Sequence, residues 1–190
     1  MLNYSKSIEI LISLQAIIIS TMIPVFITIP FSFKDIQNFE IPTTWQIPLI
    51  IIITLIFNSE IVSKAFTIYL FVGLFFLPIF HQGGSIGYLL TPNFGYLLGI
   101  YPLIKVINNY NFRYKSTDVF NFLKAGIIAV TFMHLIGIIY GLIQIFYIKE
   151  ANIYIYNISK YTLGKFGYHL LMLLPITLLL RPIKFLKNLK

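Results

Sequence analysis

The feature that most constrains the fold is a break inside the longest uncharged stretch of the chain. From Ala65 to Ile104 forty consecutive residues include no Asp, Glu, Lys or Arg. That length suffices for two membrane crossings of ~20 residues each, with little left for an external loop. Its middle, residues 80–99, nevertheless reads F-H-Q-G-G-S-I-G-Y-L-L-T-P-N-F-G-Y-L-L-G, with several helix-breaking Gly and Pro residues. The sequence therefore predicts two helices joined by a non-helical piece, residues 81–93, at or just below the membrane surface.

This piece is predicted to be a re-entrant loop. Non-helical backbone is tolerated at membrane depth only where protein buries it or where it lines a polar cavity. Gly83, Gly84 and Gly87 permit backbone conformations that other residues avoid. Pro92 stops a local helix, and Asn93 carries both a donor and an acceptor. The loop is thus a candidate binding site for a polar solute, and a plain flexible connector is the alternative.

The scarcity of charge sets the class of protein. Charged residues make up 11% of the chain and hydrophobic residues 58%, against roughly a quarter and roughly half in soluble proteins. The sequence therefore predicts an all-α integral membrane protein, one membrane domain over residues 1–190. Without cysteine there is no thiolate for a metal or a disulfide, and the three histidines fall on different segments. We expect no metal and no cofactor, and the net charge of +8 is better explained by cytoplasmic loops and anionic lipid than by nucleic acid.

Six uncharged windows predict six transmembrane helices. The first is too long for a cleavable signal peptide and no small-residue cleavage site follows it, so it is interpreted as a retained helix. The second and fourth are short for full crossings, which predicts tilt or non-helical extensions. The predicted helices cover about residues 10–29, 45–57, 61–80, 95–107, 121–147 and 165–185. The outer segment 150–160, rich in Tyr, is interpreted as an interface belt, with a short element capping the site as the alternative.

The placement of Lys and Arg predicts the orientation. With both termini in the cytoplasm of a plasma-membrane protein, ten basic residues face inward and four face outward, as the positive-inside bias requires. The inner set is Lys6, Lys64, Lys105, Arg113, Lys115, Lys124, Arg181, Lys184, Lys187 and Lys190, and the outer set is Lys34, Lys149, Lys160 and Lys165. The same assignment places the loop 81–93 on the outer face.

Small residues at four-residue spacing indicate close helix packing. Such pairs let helices approach in lipid, where dispersion and weak hydrogen bonds drive association. In the fourth and fifth helices we expect internal packing, whereas in the first helix internal packing and an external partner are both open. The pairs are Ala16 with Ser20, Gly95 with Gly99, and Gly137 with Gly141.

A few polar residues stand at the edges of the apolar windows or inside them. Thr43 or Thr44 could cap the second helix, and the Gln46 amide, one residue inside the window, needs partners for both of its polar atoms. His134 and His169 are polar groups in apolar surroundings, which makes them functional candidates or helix-bonding residues. Motifs of hydrolases, zinc proteases and P-loop ATPases are absent from the sequence. Any energy for active transport must then come from another subunit.

Three motifs, in order and spacing, resemble those of the BioY family, the membrane-embedded biotin-binding (S) components of energy-coupling factor transporters. The family pattern is roughly P-x-T-x-Q, then a helix ending G-L-P-V-F-A-G-G, then G-P-T-G-G-Y-L-x-G-F. The corresponding residues here are Pro42, Thr44 and Gln46, followed by G-L-F-F-L-P-I-F-H-Q-G-G (73–84) and T-P-N-F-G-Y-L-L-G-I (91–100). The resemblance is specific over about a third of the chain and looser but colinear afterwards.

The resemblance implies a six-helix S component that binds biotin from the outer side and performs no chemistry on it. It implies a transmembrane coupling protein and two ATPase subunits as partners, with transport by this subunit alone left open, and Ala16 and Ser20 as the surface for the coupling protein. Biotin has an apolar bicycle, a planar urea and an anionic end, so its site should be mostly apolar with a few convergent polar groups. The candidate site residues are Thr44, Gln46, Asn93, Tyr96 and His169, the backbone of Gly83 and Gly84, and the aromatic walls Phe80 and Phe94.

The last helix departs from the family pattern. In many relatives it begins P-G-D-L-I-K, whose Asp and Lys suit the ureido N–H groups and the carboxylate. The corresponding stretch here, F-G-Y-H-L-L-M, places His169 at the Asp and Met172 at the Lys. Lys165, Lys160 and His81 are the alternatives for the carboxylate.

Other functions stay open at the level of the sequence. The departures in the last helix allow an S component for a different vitamin. A membrane enzyme would use His134 and His169 as acid–base groups but lacks a visible nucleophile. A structural helix bundle that binds no ligand is the third alternative.

Overall fold

The structure is a computed structural model that describes residues 4–30, 36–81, 83–114, 118–147 and 151–188, and it confirms the helical class. The described elements are α1 (Tyr4–Met22), β1 (Pro24–Pro30), β2 (Ile36–Thr44), α2 (Gln46–Ile56), α3 (Ser59–Phe75), a short 3-10 helix (Ile86–Leu90), α4 (Pro92–Leu98), α5 (Ile100–Tyr114), α6 (Val119–Tyr147), α7 (Ala151–Leu171) and α8 (Leu173–Asn188).

A β-hairpin replaces the end of the predicted first helix. The prediction of a helix to residue 29 is wrong, because α1 ends at Met22 and is followed by β1. Pro24 lacks an N–H and disfavours helical geometry in the residue before it. The V-F-I-T-I run after it has high β-propensity. The strand pairs antiparallel with β2, from Pro30 opposite Ile36 to Pro24 opposite Thr44. This hairpin delivers the end of β2 to the start of α2.

The predicted third helix is five residues too long at its C-terminal end. The Asn58 side chain accepts a hydrogen bond from the Ile61 N–H (3.1 Å) and caps the start of α3. The helix ends at Phe75 instead of residue 80, because Pro78 cannot continue it. The prediction that residues 81–93 are non-helical is wrong in part, because this segment contains the 3-10 helix and the first two residues of α4, which begins at Pro92. Proline fits this position because the first helical residue needs no N–H partner.

The predicted fourth and sixth helices are each two helices. The window 95–107 contains the C-terminal part of α4 and the first half of α5, which are separated by a turn at Gly99. The window 165–185 is divided at Met172, where α7 and α8 are bent by 41°. Pro175 explains this bend, because its ring clashes with the carbonyl four residues earlier. Residues 151–160 of the predicted outer segment form the first turns of α7, whereas residue 150 lies outside the described residues.

Glycines let the helices approach closely, as predicted for the fourth and fifth helices. A Cβ at Gly99 would meet the backbone of Met133 on α6. A Cβ at Gly95 would meet the Tyr140 side chain, and one at Gly137 would meet the Tyr96 ring. Gly141 lies against Ile158 of α7. The tertiary contacts of α6 with α4, α5 and α7 thus depend on residues without side chains.

The small-residue pair of α1 lies on its packed side. Ser20 is buried and donates a hydrogen bond to the Ile17 carbonyl (2.9 Å), while Ala16 is half-buried. The helix packs against α3 and α2. The role of this pair toward a coupling protein stays a prediction.

Helix α6 has the surface of a lipid-facing helix. Ala129, Val130 and Met133 are buried on one side. The other side exposes large apolar side chains: Ile127, Ile128, Phe132, Leu135, Ile139, Leu142 and Ile143. An apolar face of this size is unusual on a soluble protein. Among the described residues α1 and α6 are long and apolar enough to cross a membrane, and a bent α7–α8 pair can form a third crossing.

Candidate ligand-binding site

A cavity lies between the β2–α2 junction, the loop that follows α3, and the three helices α4, α6 and α7. Its empty volume is about 590 Å³ when the open space at its mouth is included. It is mostly apolar with several polar groups. The lining residues are Thr43, Thr44, Gln46, Ile47, His81, Tyr88, Asn93, Tyr96, Leu97, Ile100, Met133, His134, Tyr161, Lys165 and His169.

The structure brings five of the predicted site residues together in this cavity. Thr44 and Gln46 come from the β2–α2 junction, Asn93 and Tyr96 from α4, and His169 from α7. The junction is held by a hydrogen bond from the Trp45 N–H to the Ile23 carbonyl (3.1 Å). The cavity therefore depends on segments that are far apart in the chain.

Three of the other four predicted site residues shape the loop and are not among the lining residues. Phe80 is buried, with its ring 4.7 Å from that of Tyr88 and 5.2 Å from that of Tyr69. Gly83 forms a β-bridge with Phe80 at φ 129°, a conformation that favours glycine. A Cβ at Gly84 would lie 2.7 Å from the Gly73 carbonyl oxygen, so this position also requires glycine.

Phe94, the second predicted aromatic wall, is also buried away from the cavity. Its ring packs against that of Tyr140, with the centroids 5.8 Å apart. Gln82, which precedes Gly83 in the loop, lies outside the described residues.

The loop between α3 and α4 is fastened to α6. The Tyr140 hydroxyl and the Gln144 side-chain N–H both donate to the Leu89 carbonyl, the second at 3.0 Å. The Thr91 hydroxyl donates to the Tyr88 carbonyl (2.8 Å) and tightens the entry to α4. Tyr88 is thereby held against the cavity that it lines. The predicted loop walls a chamber, while its depth in the membrane stays a prediction.

Tyr96 is placed by two other helices. Its hydroxyl forms a 2.6 Å hydrogen bond with the Thr162 hydroxyl of α7. Its ring stands edge-on to His134 of α6, with centroids 5.5 Å apart, and covers Gly137. The α4–α6 and α6–α7 contacts therefore determine where this phenol meets the cavity.

A chain of hydrogen bonds joins Thr43, His169 and His134. The Thr43 hydroxyl lies 3.2 Å from His169 Nε2, and His169 Nδ1 lies 3.1 Å from His134 Nε2. All three side chains are buried and line the cavity. The interpretation of Thr43 or Thr44 as a helix cap is wrong, because α2 has no side-chain cap. Sequence reasoning missed the role of Thr43, for which the chain offers no local signal.

Two buried polar atoms in the cavity lack a partner among the described residues. They are the Gln46 Nε2 and the His134 Nδ1. A buried polar atom without a partner costs about 1–3 kcal/mol. Such atoms are therefore expected to bond water in the empty cavity and a ligand in the occupied one.

Two of the three cationic alternatives for binding a carboxylate line the cavity. Lys165 and His81 line the cavity, whereas Lys160 is exposed and is not among the lining residues. Lys165 is half-buried, with its Nζ 4.6 Å from the centroid of the Tyr161 ring. Among the described residues the ion pair found is Lys64–Glu60, far from this site in sequence and on α3. The described residues also hold no cluster of three or more His, Asp or Glu suited to a metal.

The fold is that of a multi-pass helical membrane protein with a partly enclosed, mostly apolar cavity, and it resembles a solved structure along almost its whole length. That crystal structure is described as the S-component for biotin from an ECF-type ABC transporter. It matches 99% of this chain and 95% of its own length at a TM-score of 0.61 and 20% identity. At this identity the match establishes the fold.

The sequence comparisons establish the family. A model of the BioY family matches residues 3–172. A curated relative from Lysinibacillus sphaericus, named "Probable biotin transporter BioY", is 31% identical over 100 residues, which are 53% of this chain and 51% of the relative. The chain thus spans about half the length of the curated relative that it matches. The chain belongs to the BioY family.

Proposed function

We propose that this protein captures biotin in the cavity described above, as the S component of an energy-coupling factor transporter. The observation that carries the proposal is the pair of unpartnered buried polar atoms, Gln46 Nε2 and His134 Nδ1, in a mostly apolar chamber. A ligand that forms hydrogen bonds with both atoms would remove the cost of leaving them unpaired in mostly apolar surroundings. The relative and the solved structure, both described as acting on biotin, support this choice of ligand.

The membrane arrangement is part of the proposal. A single domain would cross the plasma membrane six times with both termini in the cytoplasm, so that the cavity opens outward. The apolar outer face of α6 and the basic excess support a lipid setting. Four of the basic residues used for the orientation, Lys34, Lys115, Lys149 and Lys190, lie outside the described residues. The partners would be a transmembrane coupling protein and two ATPase subunits, since the chain has no P-loop.

Within this proposal Lys165 binds the carboxylate of biotin. It lines the cavity on α7, one turn before His169, and no carboxylate of the described residues lies within ion-pair distance of it. A partly desolvated ammonium group that gains an anion forms a charge-assisted hydrogen bond worth roughly 1.5–3 kcal/mol.

The test compares biotin with its uncharged amide in purified protein. Lys165→Gln should weaken biotin binding by about 1.5–3 kcal/mol and change binding of the amide little, as measured by calorimetry in nanodiscs. Lys160→Gln is the matched control, because Lys160 lies on the same helix but is exposed. Equal losses for biotin and the amide would show that Lys165 does not bind the carboxylate. Failure of the unaltered protein to bind biotin would refute the proposed function.

A different vitamin is the second candidate ligand. His169 stands where the resemblance puts an Asp and contacts His134. This histidine pair favours a ligand that accepts hydrogen bonds as readily as it donates them. Competition between labelled biotin and a panel of unlabelled vitamins decides the point. Displacement by another vitamin at lower concentration than biotin would identify the preferred ligand.

A further inference from the structure

The arrangement of Thr43, His169 and His134 has a consequence for how the cavity meets its ligand. Both ring nitrogens of His169 are engaged, Nε2 with Thr43 and Nδ1 with His134. His134 has one engaged nitrogen, Nε2, and one buried nitrogen, Nδ1, without a partner among the described residues. His134 lines the cavity, and its buried, unpartnered Nδ1 is the one ring nitrogen of these two described histidines that is left to bond a ligand.

The protonation of the two rings is coupled by their direct contact. Both rings are more than nine-tenths buried, and a charge there without an acidic partner would be costly, so both are neutral. A neutral imidazole has one N–H and one lone pair. The 3.1 Å contact between His134 Nε2 and His169 Nδ1 therefore holds a single proton. If both nitrogens carried a proton, the two N–H groups would repel each other. If neither did, two lone pairs would face each other.

Two states of the chain satisfy this condition. If His169 Nδ1 carries the shared proton, the proton of His134 must be on Nδ1, and the ligand meets a donor. If His134 Nε2 carries it, the proton of His169 must be on Nε2, and the ligand meets the lone pair of His134 Nδ1. The Thr43 hydroxyl serves either state, because it can donate to His169 Nε2 or accept from it. The two histidines are thus always in the same tautomer.

We propose that His134 Nδ1 is the ligand-contacting atom of this group. His169 and Thr43 are positioning residues that determine whether this nitrogen donates or accepts a hydrogen bond. This inference rests on the proposed function for the identity of the ligand. The unpartnered Gln46 Nε2 can only donate, so it suits the ureido carbonyl of biotin. His134 Nδ1 then accepts from a ureido N–H, and both histidines in the complex carry their protons on Nε2.

Nitrogen-15 NMR of histidine-labelled protein in nanodiscs measures the tautomers directly. The chain has three histidines, and the signals are assigned with His81→Gln, His134→Gln and His169→Gln variants. We expect His134 and His169 to show the same tautomer without ligand and the Nε2–H tautomer with biotin. Opposite tautomers, or a doubly protonated ring, would overturn the proposal. Like tautomers in a protein that does not bind biotin would support the coupling while refuting the proposed function.

Variants of Thr43 separate a positioning role from a packing role. Thr43→Ser keeps the hydroxyl and should leave the tautomer signals of His134 unchanged. Thr43→Val keeps the shape but removes the bond to His169, so the signals of His134, one ring further on, should shift. Unchanged His134 signals in a folded Thr43→Val protein would show that Thr43 does not influence His134 through His169.

Binding measurements test the contact atom. His134→Phe should weaken biotin binding roughly tenfold or more. Of the two N-methylated biotins, one lacks the N–H that contacts His134. The His134→Phe substitution should change the affinity for that compound little. Equal losses for biotin and for both N-methylated biotins would show that His134 does not contact a ureido N–H.

Discussion

The contact between Gly99 and α6 offers a sharp test of how the helices are held together. Gly99 is buried at the turn between α4 and α5. A Cβ there would lie 2.8 Å from the Met133 Cα and 3.0 Å from its carbonyl carbon, and closer still to its carbonyl oxygen. These are backbone atoms of a long helix, so they cannot rotate away as the end of a side chain could. Gly99→Ala must therefore push α4 and α5 away from α6.

Overpacking of this kind costs about 1–3 kcal/mol. For a chain of this size that corresponds to a fall in melting temperature of roughly 2–4 °C per kcal/mol. The matched control is Gly164→Ala in α7, where a Cβ would meet nothing within 4 Å. That substitution should stabilise the helix by up to about 1 kcal/mol, because alanine has the higher helix propensity.

Thermal unfolding in one detergent measures both variants, and biotin binding is measured alongside. Tyr96 on α4 and His134 on α6 stand edge-on across the same contact. Gly99→Ala should therefore weaken biotin binding as well as stability, whereas Gly164→Ala should leave binding unchanged. If Gly99→Ala melts no lower than Gly164→Ala, the close approach of the α4–α5 turn to α6 is not present in the protein.

Three further predictions concern the cavity. Gln46→Ala or Asn93→Ala should each weaken biotin binding by ~1–3 kcal/mol, and calorimetric affinities equal to the unaltered protein would remove both from the site. Biotin at 100 times its Kd should raise the stability of the protein by about 2.7 kcal/mol, and no ligand-dependent melting shift would favour a purely structural bundle. The double variant Tyr140→Phe with Gln144→Leu removes both side-chain hydrogen bonds to the Leu89 carbonyl. Amide hydrogen exchange in residues 83–91 should then be faster than in the unaltered protein, whereas exchange in α8 should not change. Unchanged exchange in residues 83–91 would contradict the anchoring of the loop.

The polar part of the site was largely predictable because it combines a motif with a physical requirement. Gln46 stands one residue inside an apolar window, where a buried amide needs a partner, and Asn93 lies in the predicted loop. Both line the cavity. The glycines were predicted as loop residues for the right reason, since Gly83 has a positive φ and Gly84 allows a close backbone approach. Their placement outside the cavity lining could not be predicted, because a glycine pattern does not say which side of a loop faces inward.

The errors in the predicted elements have a common origin. Hydropathy alone cannot distinguish a β-branched strand from the end of an apolar helix, so the run after Pro24 was assigned to the first helix. Gly99 and Met172 lie inside uncharged stretches, so hydropathy does not reveal that a helix ends at each of them. Pro24, Pro78 and Pro175 were visible in the sequence and account for three of the four boundaries.

The sequence by itself determined the membrane class, the helix-rich fold and the family motifs, because these depend on composition, window length and local spacing. Only the tertiary structure decided that Thr43, His169 and His134 form one hydrogen-bonded chain and that Lys165, rather than Lys160, lines the cavity. The physical reason is distance along the chain. Thr43 and His169 are 126 residues apart, and no local pattern encodes a contact that exists only once β2 and α7 pack together.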